Sequence, residues 1–308
     1  MSAASVKNAV VIGAGSIGSR HARILGEMGL AVSSVSRRGG DGAFTDLAAA
    51  LRAVEADYVV VATETSDHAQ QLEQLVALDF RGRVLVEKPL FAAPRPMPPH
   101  RFAALAIGYD LRFHPVVRRL STQLAGERLI SAAIYVGQYL PEWRPGRDYR
   151  TLYSARAAEG GGVLRDLSHE LDLANLLLGP WRRVSALGGH WSDLEIDSDD
   201  TFLVLGEFAR CPAATIQVNY LDRRSRRELV INTAAHTYHA DLIAGTLACD
   251  RGPARQFPAG PDALYRDQHR SVLEDHPGPC TAAEAEAALA LVAAAERAAR
   301  DGVWVESL

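Results

Sequence analysis

The sequence predicts an α/β chain, with a doubly wound parallel-sheet domain followed by an α+β domain whose sheet is open and mostly antiparallel. Three observations predict it. Short β-branched runs alternate with amphipathic helical patterns through the first third of the chain. A glycine-spaced turn, Gly13-x-Gly15-x-x-Gly18, joins the first of these runs to the first helix. From Trp181 onward the pattern becomes a succession of alternating strands. The expected boundaries are residues 1–115 for the first domain and 116–280 for the second, with a helix and a short strand in 281–308.

A chain of 308 residues that is 48% hydrophobic can bury a sizeable core and divide into two domains. The formal charge of −4 carries no basic excess, so no nucleic-acid partner is expected. No apolar run approaches the roughly 20 residues that span a bilayer, so no membrane partner is expected either. Residues 1–8 lack the apolar region and cleavage site of a signal peptide, which gives a cytoplasmic expectation. Cys211, Cys249 and Cys280 are few, odd in number and widely separated, as fits reduced thiols. His236 and His239 have no acidic or cysteine partner at metal-ligand spacing, so no metal is expected.

Ala9 to Ile12 reads as a buried strand and Ser19 to Met28 as a helix, with Ala22, Ile24 and Leu25 on its apolar side. Between them the first glycine permits a tight turn, the second lets the backbone approach a pyrophosphate, and the third lets the helix pack closely. Exposed amides and the dipole at the helix start favour the anion. Gly13, Gly15, Ser16, Ile17 and Gly18 are therefore candidates for binding a dinucleotide, and the domain is of the Rossmann kind.

Ala31 to Ser36 is a second strand, which places Ser36, Arg37 and Arg38 about 20 residues beyond the glycines. An acidic residue there would bind a ribose 2′-hydroxyl, whereas a small polar residue followed by arginine suits a 2′-phosphate. NADP is favoured over NAD on this ground; if the arginines are only solvated loop charges, NAD remains open. Asp46 to Val54 is a helix with Leu47, Leu51 and Val54 on one stripe, and Asp57 to Thr63 is an apolar strand buried on both faces. The turn Thr63 to His68 follows at the ligand edge of the sheet. Thr63, Ser66 and His68 are cofactor candidates, with helix capping by Ser66 or Asp67 as the other reading. Gln70 to Leu78 is a helix and Val84 to Val86 a strand that ends in Glu87-Lys88-Pro89, where Glu87 is a further cofactor candidate and Lys88 is placed to donate to a substrate oxygen, the other reading being a surface lysine at a strand end.

With Gly13/Gly15/Gly18, Ala62-Thr63 with His68, and Glu87-Lys88-Pro89 in this order, the chain resembles the Gfo/Idh/MocA oxidoreductases. The resemblance implies that Lys88 is catalytic and holds the reacting oxygen. It extends to Tyr109-Asp110-Leu111-Arg112-Phe113-His114-Pro115, which is similar to the segment where family members leave the nucleotide domain; Arg112 and His114 either face the pocket or pack.

Residues 115–124 should be a helix and 129–138 a strand. The loop from Tyr139 to Arg150 is rich in proline, aromatics and arginine, and long irregular stretches are often functional. Trp143 and Tyr149 are candidates for stacking on a sugar ring and Arg147 for binding a hydroxyl or phosphate, the alternative being that all three pack the loop. After Gly160-Gly161-Gly162 the sequence predicts one helix with Val163, Leu167, Leu171 and Ala174 on its apolar face. Asp166, His169 and Asp172 lie on another face at three-residue steps. An imidazole beside a carboxylate can relay a proton, and a solvated polar face would show the same spacing. The resemblance nominates Asp166 and His169 as catalytic with Lys88, Asp172 being a substrate-binding candidate. The family more often spaces this Asp and His by four residues; a branch with Asp-x-x-His-Glu-x-Asp is closer.

Strands are expected at 184–190, 201–208, 214–220, 228–233 and 238–243. Arg223, Arg224, Arg226 and Arg227 lie near a turn, as an anion site or a solvated hairpin edge. Glu284 to Arg300 is an alanine-rich helix and Val303 to Val305 a last strand; the resemblance implies that this segment returns to the nucleotide domain. It further implies an NAD(P)-dependent dehydrogenase or reductase acting on a secondary alcohol of a sugar, nucleotide sugar or cyclitol, assembled as a homodimer or homotetramer. A glycosidase of the same fold that uses tightly held NAD, and a non-catalytic cofactor sensor, are the rival readings.

Overall fold

The computed structural model describes residues 6–37, 39 and 43–307; Arg38 lies outside them. The chain runs β1 (Asn8–Ile12), α1 (Ser16–Glu27), β2 (Ala31–Val35), α2 (Leu47–Val54), β3 (Tyr58–Val61), α3 (His68–Ala77), β4 (Arg83–Val86) and β5 (Ala104–Ile107). It continues through α4 (Pro115–Gln123), β6 (Leu129–Gly137), α5 (Val163–Asp166), α6 (His169–Leu178), β7 (Trp181–Gly189), β8 (Thr201–Phe208) and β9 (Ala214–Asn219). Then come β10 (Arg226–Thr233), β11 (Thr237–Asp241), β12 (Thr246–Cys249), β13 (Arg255–Gln256), α7 (Ala263–Leu273), α8 (Ala282–Asp301) and β14 (Val305–Glu306).

The chain forms two compact units, residues 1–113 with 260–285, and 114–259 with 286–308. The returning piece therefore lies earlier than the expected 281–308. Its main element, α7, is not expected from the sequence because its buried residues, Gln268, His269, Ser271 and Val272, are mostly polar and leave no apolar stripe. β12 and β13 were likewise not expected. The last strand, β14, pairs with β7 in the second unit instead of returning to the first.

In the first unit five parallel strands lie in the order β2-β1-β3-β4-β5. All of β3, and Val84, Leu85 and Val86 of β4, are buried, as expected of a parallel sheet covered on both faces. The core joins Ala9, Val11, Leu25, Tyr58, Val60, Leu85 and Ala106 to Val272 of α7. Asp46 caps α2 by accepting from the Ala49 N–H at 2.7 Å. The strand order reverses at β1, so the crevice outside the carboxyl ends of β1 and β3 is the switch point at which such sheets bind ligands.

In the second unit nine strands lie in the order β13-β12-β11-β10-β6-β9-β8-β7-β14. Among the described residues only β6 and β9 of this sheet pair in parallel; the other ladders are antiparallel. The expected single helix after the glycines is two segments, α5 and α6. Between them the chain tightens, with the Ser168 N–H bonded to the Arg165 carbonyl and the Glu170 N–H to that of Leu167. Bonds of this three-residue kind bring residues three apart to the same side of the turn.

Candidate functional site

In the first unit the three glycines serve different purposes. Gly13 has a φ of +108°, and a Cβ there would meet the Ala62 carbonyl oxygen at 2.4 Å, so the turn after β1 lies directly against the end of β3. A Cβ on Gly18 would stand 1.9 Å from the Gly13 carbonyl oxygen, which makes this glycine a close-packing position between helix and turn. A Cβ on Gly15 would meet nothing within 4 Å. Gly15 is also the N-cap of α1, whose start has no side-chain cap and no acidic residue in its first turn. Open space in front of uncapped amides is a suitable cradle for a pyrophosphate. Ser16 is exposed, while Ile17 turns its side chain to the core.

The turn after β3 contributes Thr63, whose hydroxyl is buried without a hydrogen-bond partner among the described residues. Ser66 is exposed, and Asp67 makes no side-chain cap on α3; it pairs instead with Arg37, which is 74% exposed. Ser36 is nearly buried at the end of β2. His68 is 1% exposed, with Nδ1 3.0 Å from the Pro89 carbonyl and Nε2 3.3 Å from that of Thr63. Burial holds its pKa below the ordinary value, against the raising effect of these carbonyls. A neutral ring has one N–H, and the shorter contact assigns it to Nδ1. His68 thus donates from Nδ1 to the Pro89 carbonyl of the Lys88-Pro89 turn, while its Nε2 edge lies against the Thr63 turn.

Glu87 and Lys88 follow β4 at the same edge of the sheet, and the Lys88–Pro89 bond is cis. Glu87 Oε1 lies 2.9 Å from His21 Nε2, and Oε2 accepts from the Lys88 N–H at 3.2 Å. Burial alone would raise the Glu87 pKa; the His21 hydrogen bond and the charges of His21 and Lys88 outweigh it and hold the carboxyl below its usual value. Arg112 is buried and paired with Glu284 at 2.9 Å.

In the second unit Asp166 is 7% exposed and held by two phenols. Tyr153 donates to Oδ1 and Tyr220 to Oδ2, each at 2.6 Å. Burial, then the Asp166 charge, push the Tyr220 phenol well above its ordinary pKa, so it remains a donor. The Trp143 ring stands edge-on to Tyr220 at 5.1 Å, and its indole N–H is buried without a partner among the described residues. His169 is half-buried at the start of α6 and Asp172 is 1% exposed. Arg147 is exposed, and the Tyr149 hydroxyl accepts from the Glu195 N–H at 3.2 Å. His114 caps α4, its Nδ1 accepting from the Val116 N–H at 3.2 Å.

The arginine run is divided. Arg227 pairs at 2.8 Å with the buried Glu170, Arg226 pairs with Glu228, and Arg223 lies over the Tyr139 ring. His236 does have acidic and thiol neighbours, Asp250 at 2.8 Å and Cys249, brought to it by the β11–β12 hairpin. Spacing along the chain could not reveal them. The Asp250 carboxylate is already engaged by His236 and the Thr237 N–H.

Tyr153 and Tyr220, and the His21, His269 and Tyr58 side chains behind Glu87, have no local signature. They reach the site residues only through long-range packing, 13 and 54 residues along the chain from Asp166 in the case of the two phenols. No helix among the described residues is long and apolar enough to cross a membrane.

Comparison with known proteins gives a family and a fold. The profile of an oxidoreductase family with an NAD-binding Rossmann fold matches residues 7–98, and that of the GFO/IDH/MocA C-terminal domain matches residues 128–238. No curated protein matches the chain in sequence. Among solved structures, GenD2 from gentamicin A biosynthesis, in complex with NAD, aligns at 24% identity and a TM-score of 0.80, covering 99% of this chain and 97% of its own. WlbA dehydrogenase from Bordetella pertussis, in complex with NADH and UDP-GlcNAcA, aligns at 18% and 0.80, covering 99% and 98%. UDP-N-acetylglucosamine 3-dehydrogenase GnnA from Acidithiobacillus ferrooxidans aligns at 23% and 0.78, covering 96% and 98%. At these identities the likeness is one of fold.

Proposed function

Since the chain belongs to the Gfo/Idh/MocA family of oxidoreductases, we propose that it is a reversible NAD(P)-dependent dehydrogenase of a secondary alcohol on a sugar, nucleotide sugar or cyclitol. The observation that carries this reading is the open space at Gly15, at an uncapped helix start on the switch point, where the residues present fit a dinucleotide. The buried Thr63 hydroxyl beside Gly13, which has no hydrogen-bond partner among the described residues, fits the same group. When bound, the nicotinamide supplies the hydride donor or acceptor.

The chain's own residues bind and move the proton. The Gly15, Ser16 and Ile17 amides hold the pyrophosphate, Thr63 and Glu87 hold the cofactor near the reacting end, and Ser36 with Arg37 favours a 2′-phosphate. Lys88 hydrogen-bonds the reacting oxygen. In the second unit the family resemblance nominates His169 for proton exchange, with Asp166 orienting that histidine or a second hydroxyl. Trp143 supplies a face for the sugar. A homo-oligomer is supported by Leu187, Leu203 and Leu205, which are 67%, 40% and 47% exposed on neighbouring strands β7 and β8.

The test is a fluorescence titration with NADH and NADPH, followed by a screen of sugars and nucleotide sugars for cofactor turnover. Lys88→Ala is expected to abolish turnover and to keep cofactor binding. Unchanged turnover in that variant would overturn the mechanism.

A further inference from the structure

Behind the Glu87-Lys88 turn runs a buried chain of hydrogen bonds that no part of the proposed reaction uses. Glu87 Oε1 contacts His21 Nε2 at 2.9 Å, His21 Nδ1 contacts His269 Nε2 at 2.9 Å, and His269 Nδ1 contacts the Tyr58 hydroxyl at 2.9 Å. His21, His269 and Tyr58 are each 0% exposed. They come from α1, α7 and β3, so three elements meet behind one carboxylate. The rings cross nearly at right angles, 78° between the histidines and 85° between His269 and Tyr58.

Buried polar groups of this number are tolerated only when each is satisfied, and here the requirement also fixes a direction. An ionised carboxylate can only accept, so His21 Nε2 carries a proton. If His21 is neutral, its Nδ1 accepts from His269 Nε2–H, and His269 Nδ1 accepts from the Tyr58 O–H. If His21 takes up a second proton, the two outer bonds reverse and all three survive. In either arrangement Glu87 keeps its donor. Burial, then the His21 charge, hold the His269 pKa well below its ordinary value, which leaves it the neutral link that either arrangement needs. The other groups facing the chain are Lys88 toward Glu87, Arg83 toward Tyr58, and Tyr265, whose ring stands edge-on to His21 and which itself faces Asp110.

The carboxylate is also confined from the front. A Cβ on Gly108 would stand 2.8 Å from Glu87 Oε1, so only glycine leaves room for it, and the Lys88 N–H holds Oε2. We propose that His21, His269 and Tyr58 are positioning residues that hold the Glu87 carboxylate, and with it the Glu87-Lys88-Pro89 turn, in the geometry that receives the cofactor. This rests on the reading of Glu87 as a cofactor-binding residue.

The experiment is a double-mutant cycle read by NADH fluorescence titration, which needs neither substrate nor turnover. His21→Gln and Glu87→Gln are each expected to weaken NADH binding about tenfold, as for loss of a charge-assisted hydrogen bond. The double variant is expected to be no weaker than either single one, because His21 acts through Glu87. Tyr58→Phe, which keeps the ring and removes one hydroxyl, gives a second and milder cycle with Glu87→Gln should His21→Gln fold poorly. It is also expected to move the imidazole nitrogen resonances of His21, two hydrogen bonds away. Additive losses, or unchanged affinity in folded variants, would overturn the positioning role. Failure of the unaltered protein to bind NADH or NADPH would instead overturn the functional reading beneath it.

Discussion

The Tyr220 hydroxyl lies 2.6 Å from Oδ2 of Asp166, at the end of a strand 54 residues further along the chain. Tyr220 is fully buried and its bond runs to a carboxylate. Tyr220→Phe should therefore cost about 1.5–3 kcal/mol, the range for a hydrogen bond to a charged group. Urea denaturation of the two proteins measures it. A loss below about 0.5 kcal/mol, the scale of ordinary surface substitutions, would show that Tyr220 does not hold Asp166.

The glycine turn separates fold from binding. Gly15→Ala adds a methyl where nothing lies within 4 Å, so the melting temperature should be unchanged, while dinucleotide affinity falls because the methyl takes the place of the pyrophosphate. Gly18→Ala drives a Cβ into the Gly13 carbonyl and should destabilise the protein by about 1–3 kcal/mol, as overpacking does. Thermal melts paired with NADH titrations distinguish the two. A Gly15→Ala protein that binds NADH normally would remove the proposed cradle.

Arg37 tests the choice of cofactor. It is exposed and paired with Asp67. If its guanidinium meets a 2′-phosphate, Arg37→Ala should weaken NADPH about tenfold or more and leave NADH within about threefold, since only one ligand carries the group. Equal effects on both titrations would show that Arg37 does not read a 2′-phosphate and would remove the ground for preferring NADP.

Asp199 gives a pH dependence with a definite sign. It accepts from the Leu164 N–H at 3.1 Å at the start of α5, and burial, the largest influence, pushes its pKa from 3.8 to about 6. Its folded pKa lies above the unfolded value, so the folded state holds the proton more tightly. The stabilising contribution is complete below about pH 3.8 and is lost as pH rises through about 6. A shift of this size corresponds to about 3 kcal/mol. Asp199→Asn, which retains an acceptor, should match the unaltered protein near pH 4 and be more stable at pH 8. Denaturation at the two pH values checks this, and a variant less stable at pH 8 would reverse the sign.

The sequence by itself determined what depends on local physics. A β-branched run before Gly13-x-Gly15-x-x-Gly18 sets a strand, a turn and a helix start within a few residues, and the alternation that follows specifies a parallel sheet covered on both sides. Glu87-Lys88-Pro89 stands at the edge of that sheet, as its place after an apolar run implies, because β4 ends immediately before it. The tertiary structure alone decided which side chains stand behind these residues. Asp166 meets Tyr153 and Tyr220, Glu87 meets His21 and through it His269, and His236 meets Asp250 and Cys249. It also decided that α7 packs on the first unit, with a buried face of Gln268, His269 and Ser271. The reason is the same in each case. A hydrogen bond between residues brought together by packing imposes no period on the sequence, and a polar buried face erases the apolar stripe by which a buried helix is otherwise read.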